Sequence, residues 1–242
     1  MQKVPVEFFP EYRKKPIRSY VVRSGRMTDS QLRALQQFGD EYRLRLAGGR
    51  VEWEQVFGRR APVVLEIGFG MADSLLQMAA AEPDKDFVGI EVHPPGAGAL
   101  VNGAATQNLR NVRLYLADAV DVIDECLPDT SFARIQIYFP DPWHKRKHSK
   151  RRIVQTELVE KLSAKLQDGG LLHLATDWEP YAAHMAKVMA VQPGFENMAT
   201  DGPYSPRPSF RPETKFERRG ERLGHQVNDL LYRRLELKTA RR

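Results

Sequence analysis

The stretch of sequence that decides the fold is Val63-Val64-Leu65-Glu66-Ile67-Gly68-Phe69-Gly70-Met71-Ala72. Its first five residues have the apolar, β-branched composition of a short buried strand. Two glycines follow, and a segment with helical spacing then continues to Ala81. Glycine in such a turn lets a ligand approach the backbone closely, as in the turns that bind nucleotides. We therefore predict a ligand-binding turn here, with a merely structural tight turn as the alternative.

Similar strand-like runs alternate with helical segments along the rest of the chain. Strands are predicted at residues 63–67, 87–91, 112–116, 134–139, 171–175, 195–200 and 228–237. Helices are predicted from Pro94 onward and at residues 71–81, 120–127, 153–166 and 178–191. Asp168-Gly169-Gly170 is the expected stop signal of the helix at 153–166. The alternation predicts an α/β fold with a Rossmann-like, mostly parallel, seven-stranded sheet covered by helices on both faces.

The N-terminal quarter of the chain differs in composition from the segment that follows it. Residues 1–60 hold 13 basic and 7 acidic side chains, residues 61–140 hold 4 and 11, and the remainder holds 20 and 13. Thr28-Asp29-Ser30-Gln31 has capping-box spacing and predicts a short helix that ends near Phe38. We expect a basic arm over residues 1–60 and a ligand-binding α/β domain over residues 61–242. The basic flanks favour a polyanionic partner, the alternative being charge kept for solubility.

Several protein classes are excluded by composition. The longest run without charge, residues 92–109, is broken by two prolines and three glycines, so no membrane span is expected. Met1-Gln2-Lys3-Val4-Pro5 lacks the apolar core of a secretory signal, which makes the cytoplasm the expected location. A single cysteine, Cys126, excludes an internal disulfide. His144, His148 and His173 lack the spacing of a metal site, so we expect no metal.

The glycine turn and three acidic residues indicate the kind of ligand. A dinucleotide turn needs a third glycine where this chain has Asp73, which argues against a dehydrogenase. Glu66, Glu91 and Asp118 lie at the carboxyl ends of three successive strands, where ligands bind in open parallel sheets. Carboxylates repel phosphates but attract the ammonium and sulfonium groups of S-adenosylmethionine (SAM). Glu66 would attract the ammonium group, Glu91 would accept from the ribose hydroxyls and Asp118 from the adenine amino group.

Together with Gly68 and Gly70, these acids resemble the loop of class I SAM-dependent methyltransferases. That family's loop has a third glycine, and Ala72 stands in its place here. A side chain as small as that of alanine should still fit. The resemblance implies a class I methyltransferase fold, with SAM as the methyl donor and S-adenosylhomocysteine as its product.

A second motif follows the fourth strand of this predicted sheet. It reads Pro140-Asp141-Pro142-Trp143-His144-Lys145, and six of the eight residues from 145 to 152 are lysine or arginine. The prolines fix a turn, and an aromatic side chain can pack beside a flat base. We predict that Lys147, Lys150, Arg151 and Arg152 contact RNA phosphates; the alternatives are a solvated loop or a localisation signal.

Four segments closely resemble the bacterial tRNA (guanine-N7)-methyltransferase family over about residues 20–235. The segments are Leu65-Glu66-Ile67-Gly68-Phe69-Gly70, Glu91-Val92-His93-Pro94-Pro95-Gly96, the Pro140–Lys145 motif and Thr214-Lys215-Phe216-Glu217. The resemblance implies that the enzyme methylates N7 of the variable-loop guanine of tRNA, with tRNA as its partner and no obligate protein partner. It implies that Glu66, Glu91, Asp118 and Asp141 line the SAM site, Asp141 being catalytic. It also implies that the substrate is faced by Lys145, Asp177, Thr214, Lys215, Phe216 and Glu217.

The chemistry of the bases leaves alternatives open. Guanine N7 presents a lone pair without a proton, so positioning matters more than a general base. Asp141 and Asp177 could accept from N1 and N2 of guanine, although Asp177 could instead cap the next helix. Thr214 and Glu217 also have capping-box spacing. Rival functions are methylation of an exocyclic amino group, whose motif has adjacent prolines, and RNA binding without catalysis.

Overall fold

The computed structural model describes residues 2–10, 18–21, 26–213, 217 and 226–236. The strands are β1 (Gln2–Lys3), β2 (Arg26–Met27), β3 (Arg43–Leu44), β4 (Val63–Ile67), β5 (Asp86–Glu91), β6 (Val112–Leu116), β7 (Phe132–Tyr138), β8 (Leu166–Thr176), β9 (Phe195–Asn197) and β10 (Asn228–Arg234). The α-helices are α1 (Asp29–Tyr42), α2 (Trp53–Phe57), α3 (Asp73–Ala81), α4 (Pro94–Thr106), α5 (Ala119–Glu125), α6 (Thr156–Lys165) and α7 (Glu179–Ala190).

The main sheet has the strand order β3-β6-β5-β4-β7-β8-β10-β9, and β1 pairs with β2 in a separate two-stranded sheet. The strands from β3 to β8 in that order run parallel, while β10 runs antiparallel to both of its neighbours. The order reverses at β4, because β5 and β6 lie on one side of it and β7 and β8 on the other. Ligands bind at such reversals in open α/β sheets. The prediction of a Rossmann-like, mostly parallel sheet is confirmed.

The predicted number of strands was wrong, because the described residues form eight strands in the main sheet rather than seven. The additional strand is β3, in which Arg43 pairs with Leu114 and Leu44 with Tyr115 of β6. Two residues are too few to show the alternation by which a strand is recognised in a sequence. The segment before residue 60 therefore contributes the edge strand of the sheet.

Helix ends account for the other differences from the prediction. The capping box at Thr28 is present, since the Thr28 hydroxyl accepts from the Gln31 amide at 3.2 Å and Gln31 Oε1 accepts from the Thr28 amide at 2.9 Å. Helix α1 nevertheless continues beyond Phe38 to Tyr42. The stop signal at Asp168-Gly169-Gly170 was misread, because α6 ends at Lys165 and the next residue, buried and extended, begins β8.

The two faces of the sheet are covered by different helices. On one face, Leu65 belongs to a buried cluster with side chains of α5, α6 and α7. On the other face, Val64 belongs to a cluster with side chains of α1, α3 and α4. Burial of each large aliphatic side chain contributes about 1.5 to 3 kcal/mol. Both clusters fix the central strands, and the carboxyl ends of these strands carry the candidate site. No helix among the residues described is long and apolar enough to span a bilayer.

Candidate cofactor and substrate site

A cavity of about 350 Å³ lies at the carboxyl ends of the central strands. Its walls come from the ends of β4 and β5, from the segments after β6 and β7, and from an N-terminal stretch. That stretch contributes Ser19, Tyr20 and Val21, whose place beside the cavity nothing in the sequence indicated. Glu91 and Asp141 line the same cavity. The structure thus brings together two acids that lie 50 positions apart in the chain.

Glu91 binds the glycine turn through its carboxylate. Oε2 accepts from the Gly70 amide at 2.8 Å, and Oε1 accepts from the amides of Val92 at 2.7 Å and His93 at 3.0 Å. Burial raises the pKa of Glu91, and these three backbone hydrogen bonds act in the opposite direction. The carboxylate therefore shapes the turn as well as facing the cavity, a role that sequence reasoning missed.

The backbone of the turn favours glycine at Gly70, and the close approach of α4 requires glycine at Gly96. Gly70 has a φ of 57°, in the left-handed region that favours glycine. The N-terminus of α4 approaches the turn so closely that a Cβ atom on Gly96 would lie 2.0 Å from the carbonyl oxygen of Gly70. A side chain at position 96 would therefore push the turn out of place. Gly68, the other predicted cofactor residue of the turn, lines the cavity.

Glu66 lies at the sheet with only 2% of its surface exposed. Its carboxylate accepts from Gln136 Nε2 at 2.9 Å and from the Ser74 hydroxyl at 3.2 Å. Burial raises the pKa of Glu66 to about 7, although these two hydrogen bonds lower it. Both partners are neutral, so a cation that reached Glu66 would stabilise its charged form. The ammonium group of SAM supplies such a cation, and the residues present therefore fit SAM.

Asp118 is 4% exposed and follows β6, between two alanines that line the cavity. It is the N-cap of α5, since its Oδ1 accepts from the Val120 amide at 2.9 Å. Tyr20 lies near it: burial raises the pKa of the Tyr20 hydroxyl, and the Asp118 charge raises it further. Asp118 is thus placed next to the cavity as expected, and its contact with adenine remains a prediction.

Asp141 is exposed at the mouth of the cavity, in a loop with strained backbone. Phe139 and Trp143 bracket it with φ angles of 48° and 46°, which are rare for residues other than glycine. Each such residue costs about 1 to 3 kcal/mol and persists only where its surroundings hold it. The Phe139 amide donates to the Ala175 carbonyl at 2.8 Å, and Trp143 Nε1 donates to the Ser19 carbonyl at 3.0 Å. The loop is therefore fixed at both sides of Asp141.

The four predicted phosphate contacts divide into two pairs. Lys147 and Lys150 are exposed on a 3-10 helix at Arg146–Arg151, where they are open to a polyanion. Arg151 is half-buried and donates to the carbonyls of Arg18 at 2.9 Å and Tyr20 at 3.1 Å. Its guanidinium also lies 3.9 Å from the centre of the Trp143 ring.

Arg152 belongs with Arg151 rather than with the lysines. It is half-buried, donates to the Pro142 carbonyl at 2.9 Å and lies over the Tyr181 ring at 4.9 Å. Arg151 therefore joins the N-terminal stretch beside the cavity to Trp143, and Arg152 joins the loop after β7 to α7. Whether they also contact phosphates remains a prediction, and the lysines are the better candidates.

Three of the six predicted substrate residues belong to the part of the chain that the structure describes. Lys145 is exposed, and Asp177 is half-buried directly after β8. Asp177 does not cap α7, so that alternative is excluded. The N-cap residue of α7 is Trp178, and no side chain accepts a capping hydrogen bond there. Glu217 is buried, 4% exposed, and bound to Arg211. The remaining predicted substrate residues, and with them the capping-box alternative, lie outside the described residues: Thr214, Lys215 and Phe216.

Comparison with known proteins identifies the family. A family model described as "Putative methyltransferase" matches residues 60–230. A tRNA (guanine-N(7)-)-methyltransferase of Saccharophagus degradans is 57% identical over 225 residues, which cover 93% of this chain and 98% of that protein. The chain belongs to the tRNA (guanine-N7-)-methyltransferase family. Another member, from Pseudomonas entomophila, is 57% identical over 91% of this chain and 92% of its own length.

Solved structures place this member of the tRNA (guanine-N7-)-methyltransferase family in the Rossmann-like methyltransferase fold. The 16S rRNA methyltransferase KamB matches with a TM-score of 0.55 at 15% identity, covering 91% of this chain and 99% of its own. A 16S rRNA (adenine(1408)-N(1))-methyltransferase from Catenulisporales acidiphilia, solved with SAM, matches with a TM-score of 0.51 at 15% identity. It covers 78% of this chain and 92% of its own. At such identities the likeness concerns the fold alone.

Proposed function

We propose that this enzyme transfers the methyl group of SAM to N7 of the variable-loop guanine in tRNA. The observation that carries the proposal is the arrangement of acids around one cavity at the reversal of strand order. Glu91 and Asp141 line the cavity, and Glu66 lies buried beside it with the neutral side chains of Ser74 and Gln136 as hydrogen-bond partners. Family membership adds the substrate, since the relatives are named for this activity on tRNA.

Three carboxylates would hold the methyl donor. Glu66 binds the ammonium group, Glu91 the ribose hydroxyls and Asp118 the adenine amino group. When bound, SAM supplies a methyl group on a cationic sulfur and leaves as S-adenosylhomocysteine. The glycine turn lets the donor lie close to the backbone of Gly68 and Gly70.

Asp141 would be the residue that orients the guanine. N7 attacks with a lone pair and has no proton to lose, so the chain need not supply a general base at that atom. On its other edge guanine offers donors at N1 and N2, and an ionised carboxylate accepts from both. Asp141 is exposed at the cavity mouth, and the strained loop fixes its position. Asp177, half-buried after the neighbouring strand β8, and Lys145 are the further candidates for contact with the base.

The charged surface would bind the tRNA backbone. Lys147 and Lys150 stand exposed beside Asp141, and the chain carries a net charge of +6. Phosphate contacts of this kind position the nucleic acid without reading its sequence. The basic segment at residues 1–60 extends this surface in our proposal, and the cytoplasm, which contains tRNA, is the proposed location.

The experiment that tests the proposal is incubation of the chain with unmodified bulk tRNA and labelled SAM, followed by mapping of the labelled nucleoside. We expect label in N7-methylguanosine of the variable loop, and loss of label in the folded Asp141→Asn variant. Label on an exocyclic amino group would favour the rival methylation. Binding of tRNA without any transfer would favour a non-catalytic RNA-binding protein.

A further inference from the structure

A row of polar side chains crosses one face of the sheet beneath the site. Glu66 of β4 pairs in register with Gln136 of β7, and Gln136 pairs in register with His173 of β8. Two residues further along β8 lies Ala175, which pairs in register with Tyr138 of β7 on one side and with Asp229 of β10 on the other. All five side chains are buried. This row occupies positions where an apolar core would ordinarily continue.

Polar contacts of hydrogen-bond length join these five residues end to end. Gln136 Nε2 donates to Glu66 at 2.9 Å, and the Tyr138 hydroxyl lies 3.1 Å from Gln136 Oε1 and 2.9 Å from His173 Nδ1. His173 Nε2 lies 2.7 Å from Asp229 Oδ1. Burial lowers the pKa of His173, and the neutral ring donates through Nε2 to Asp229, which leaves Nδ1 as an acceptor. The Tyr138 hydroxyl has a single proton, so it donates either to Gln136 Oε1 or to His173 Nδ1 at any one time. Gln136 Oε1 also accepts from Arg134 Nε at 3.0 Å. Tyr138 is therefore the link between the half of the row near Glu66 and the half near Asp229.

The row continues from Asp229 to Glu217 through one arginine. Arg211 donates to Asp229 through Nε at 2.8 Å and Nη2 at 2.9 Å. It also donates to Glu217 through Nη1 at 2.6 Å and Nη2 at 2.8 Å. The Arg211 side chain is fully buried, and the neighbouring Phe210 ring packs edge-on against His173 at 5.5 Å. Glu217 is therefore tied to the sheet by a buried, bidentate ion pair.

Stability alone does not account for such a row. Buried ion pairs lose much of their Coulomb energy to desolvation, and apolar replacements are often as stable or more so. Buried polar groups do fix one arrangement out of several, because an altered arrangement leaves them without partners. The two ends of this row are both assigned to the site, Glu66 to the cofactor and Glu217 to the substrate motif.

We propose that Tyr138, His173, Asp229 and Arg211 are positioning residues that couple the cofactor carboxylate Glu66 to the substrate-motif residue Glu217. The coupling rests on the proposed function, in which these two carboxylates serve SAM and the tRNA respectively. A displacement of Arg211 changes the partners of Asp229 and His173, then the direction of the Tyr138 hydroxyl, and finally the orientation of Gln136 against Glu66. SAM affinity thus depends on Arg211, a residue that binds Glu217 of the predicted substrate motif and does not contact Glu66 directly.

The test is SAM binding measured by calorimetry in the absence of tRNA. We expect Arg211→Lys to weaken SAM binding by about fivefold or more, the lower end of coupling between distinct sites. Tyr138→Phe keeps the ring but removes the link, so adding Arg211→Lys in that background should change SAM affinity no further. Tyr232→Phe is the matched control, because Tyr232 is a buried tyrosine of the adjacent strand β10 with no place in the row.

Each outcome decides the proposal. Unchanged SAM affinity in folded Arg211→Lys, or equal effects of Arg211→Lys with and without the Tyr138 hydroxyl, would overturn it. A lower unfolding midpoint with unchanged affinity shows a merely structural role and overturns it as well. Should Arg211→Lys fail to fold, Asp229→Asn takes its place in the same cycle. Failure of the proposed function is seen separately, as wild-type protein that binds no SAM or methylates no tRNA.

Discussion

The backbone amide of Gly70 donates a hydrogen bond of 2.8 Å to Oε2 of Glu91. One carboxylate at the end of β5 thereby holds the glycine turn that follows β4, and the same carboxylate lines the cavity. Two segments that separately resemble a cofactor motif are thus one unit in the structure. Removal of Glu91 should therefore affect both the ligand and the turn.

Glu91→Ala is expected to weaken SAM binding by about 1.5 to 3 kcal/mol, as for a lost hydrogen bond to a charged group. It should also lower the unfolding midpoint, because the amides of Gly70, Val92 and His93 lose their acceptor. Calorimetry and thermal unfolding measure the two effects. Glu91→Gln, which retains one acceptor oxygen, should lie between wild type and Glu91→Ala. Unchanged SAM affinity in the folded alanine variant would remove Glu91 from the site.

SAM affinity is expected to rise with pH up to about 7, the pKa to which burial raises Glu66. Below that pH the free protein holds a proton on Glu66, and binding of an ammonium group must release it. The rise should approach about tenfold per pH unit well below 7. Calorimetry at pH 6 in two buffers of different ionisation enthalpy would detect the released proton. Glu66→Gln should bind SAM weakly and without this pH dependence; a wild-type affinity that is flat in this range contradicts the assignment.

The raised pKa of Glu66 also predicts how the stability of the free protein depends on pH. The raised pKa means that the folded protein binds the Glu66 proton more tightly than the unfolded chain, whose carboxyl titrates near its ordinary value. Glu66 therefore destabilises the free protein progressively as pH rises from about 4.5 to about 7. Denaturant unfolding of wild type and Glu66→Gln across this range should show that difference. Equal pH profiles for the two proteins would contradict it.

Lys147→Gln together with Lys150→Gln should weaken tRNA binding while SAM affinity is retained. The slope of log affinity against log salt should fall by about 0.7 to 0.9 for each phosphate that a lysine no longer neutralises. Arg151→Gln should behave differently and weaken SAM binding too, because Arg151 holds the carbonyls of Arg18 and Tyr20 beside the cavity. Lys187→Gln, which removes one exposed lysine charge on α7, is the charge-matched control for each of the two single lysine substitutions. An unchanged salt slope in the double variant would show that these lysines do not bind phosphate.

The strands and the glycine turn could be predicted because their residues carry a local signal. Val63–Ile67 is uniformly buried and apolar apart from Glu66, and the positive φ of Gly70 favours glycine. The strand β3 has no such signal in its two residues. The inward position of Arg151 depends on the Trp143 ring and on the carbonyls of Arg18 and Tyr20, which are more than 100 residues away in sequence. Contacts of that kind are set by tertiary packing rather than by local spacing.

The polar row beneath the site illustrates the same limit. Gln136 and His173 stand within apolar strand patterns, and nothing in the sequence indicates which residues they contact. Strand register is what brings them beside Glu66. The sequence shows only that each is a polar residue at a position expected to be buried, and this does not identify its hydrogen-bond partner.

Transfer of the methyl group to N7 of the variable-loop guanine can be tested with one substitution in the substrate. A tRNA transcript with 7-deazaguanine at that position lacks the N7 lone pair but keeps the N1 and N2 donors that Asp141 is proposed to read. Single-turnover transfer from labelled SAM would be compared with the matched guanine transcript, with tRNA binding measured in parallel. We predict unchanged binding and no transfer to the 7-deazaguanine transcript. Transfer at a rate comparable with that of the guanine transcript would contradict the claim, because another atom would then accept the methyl group.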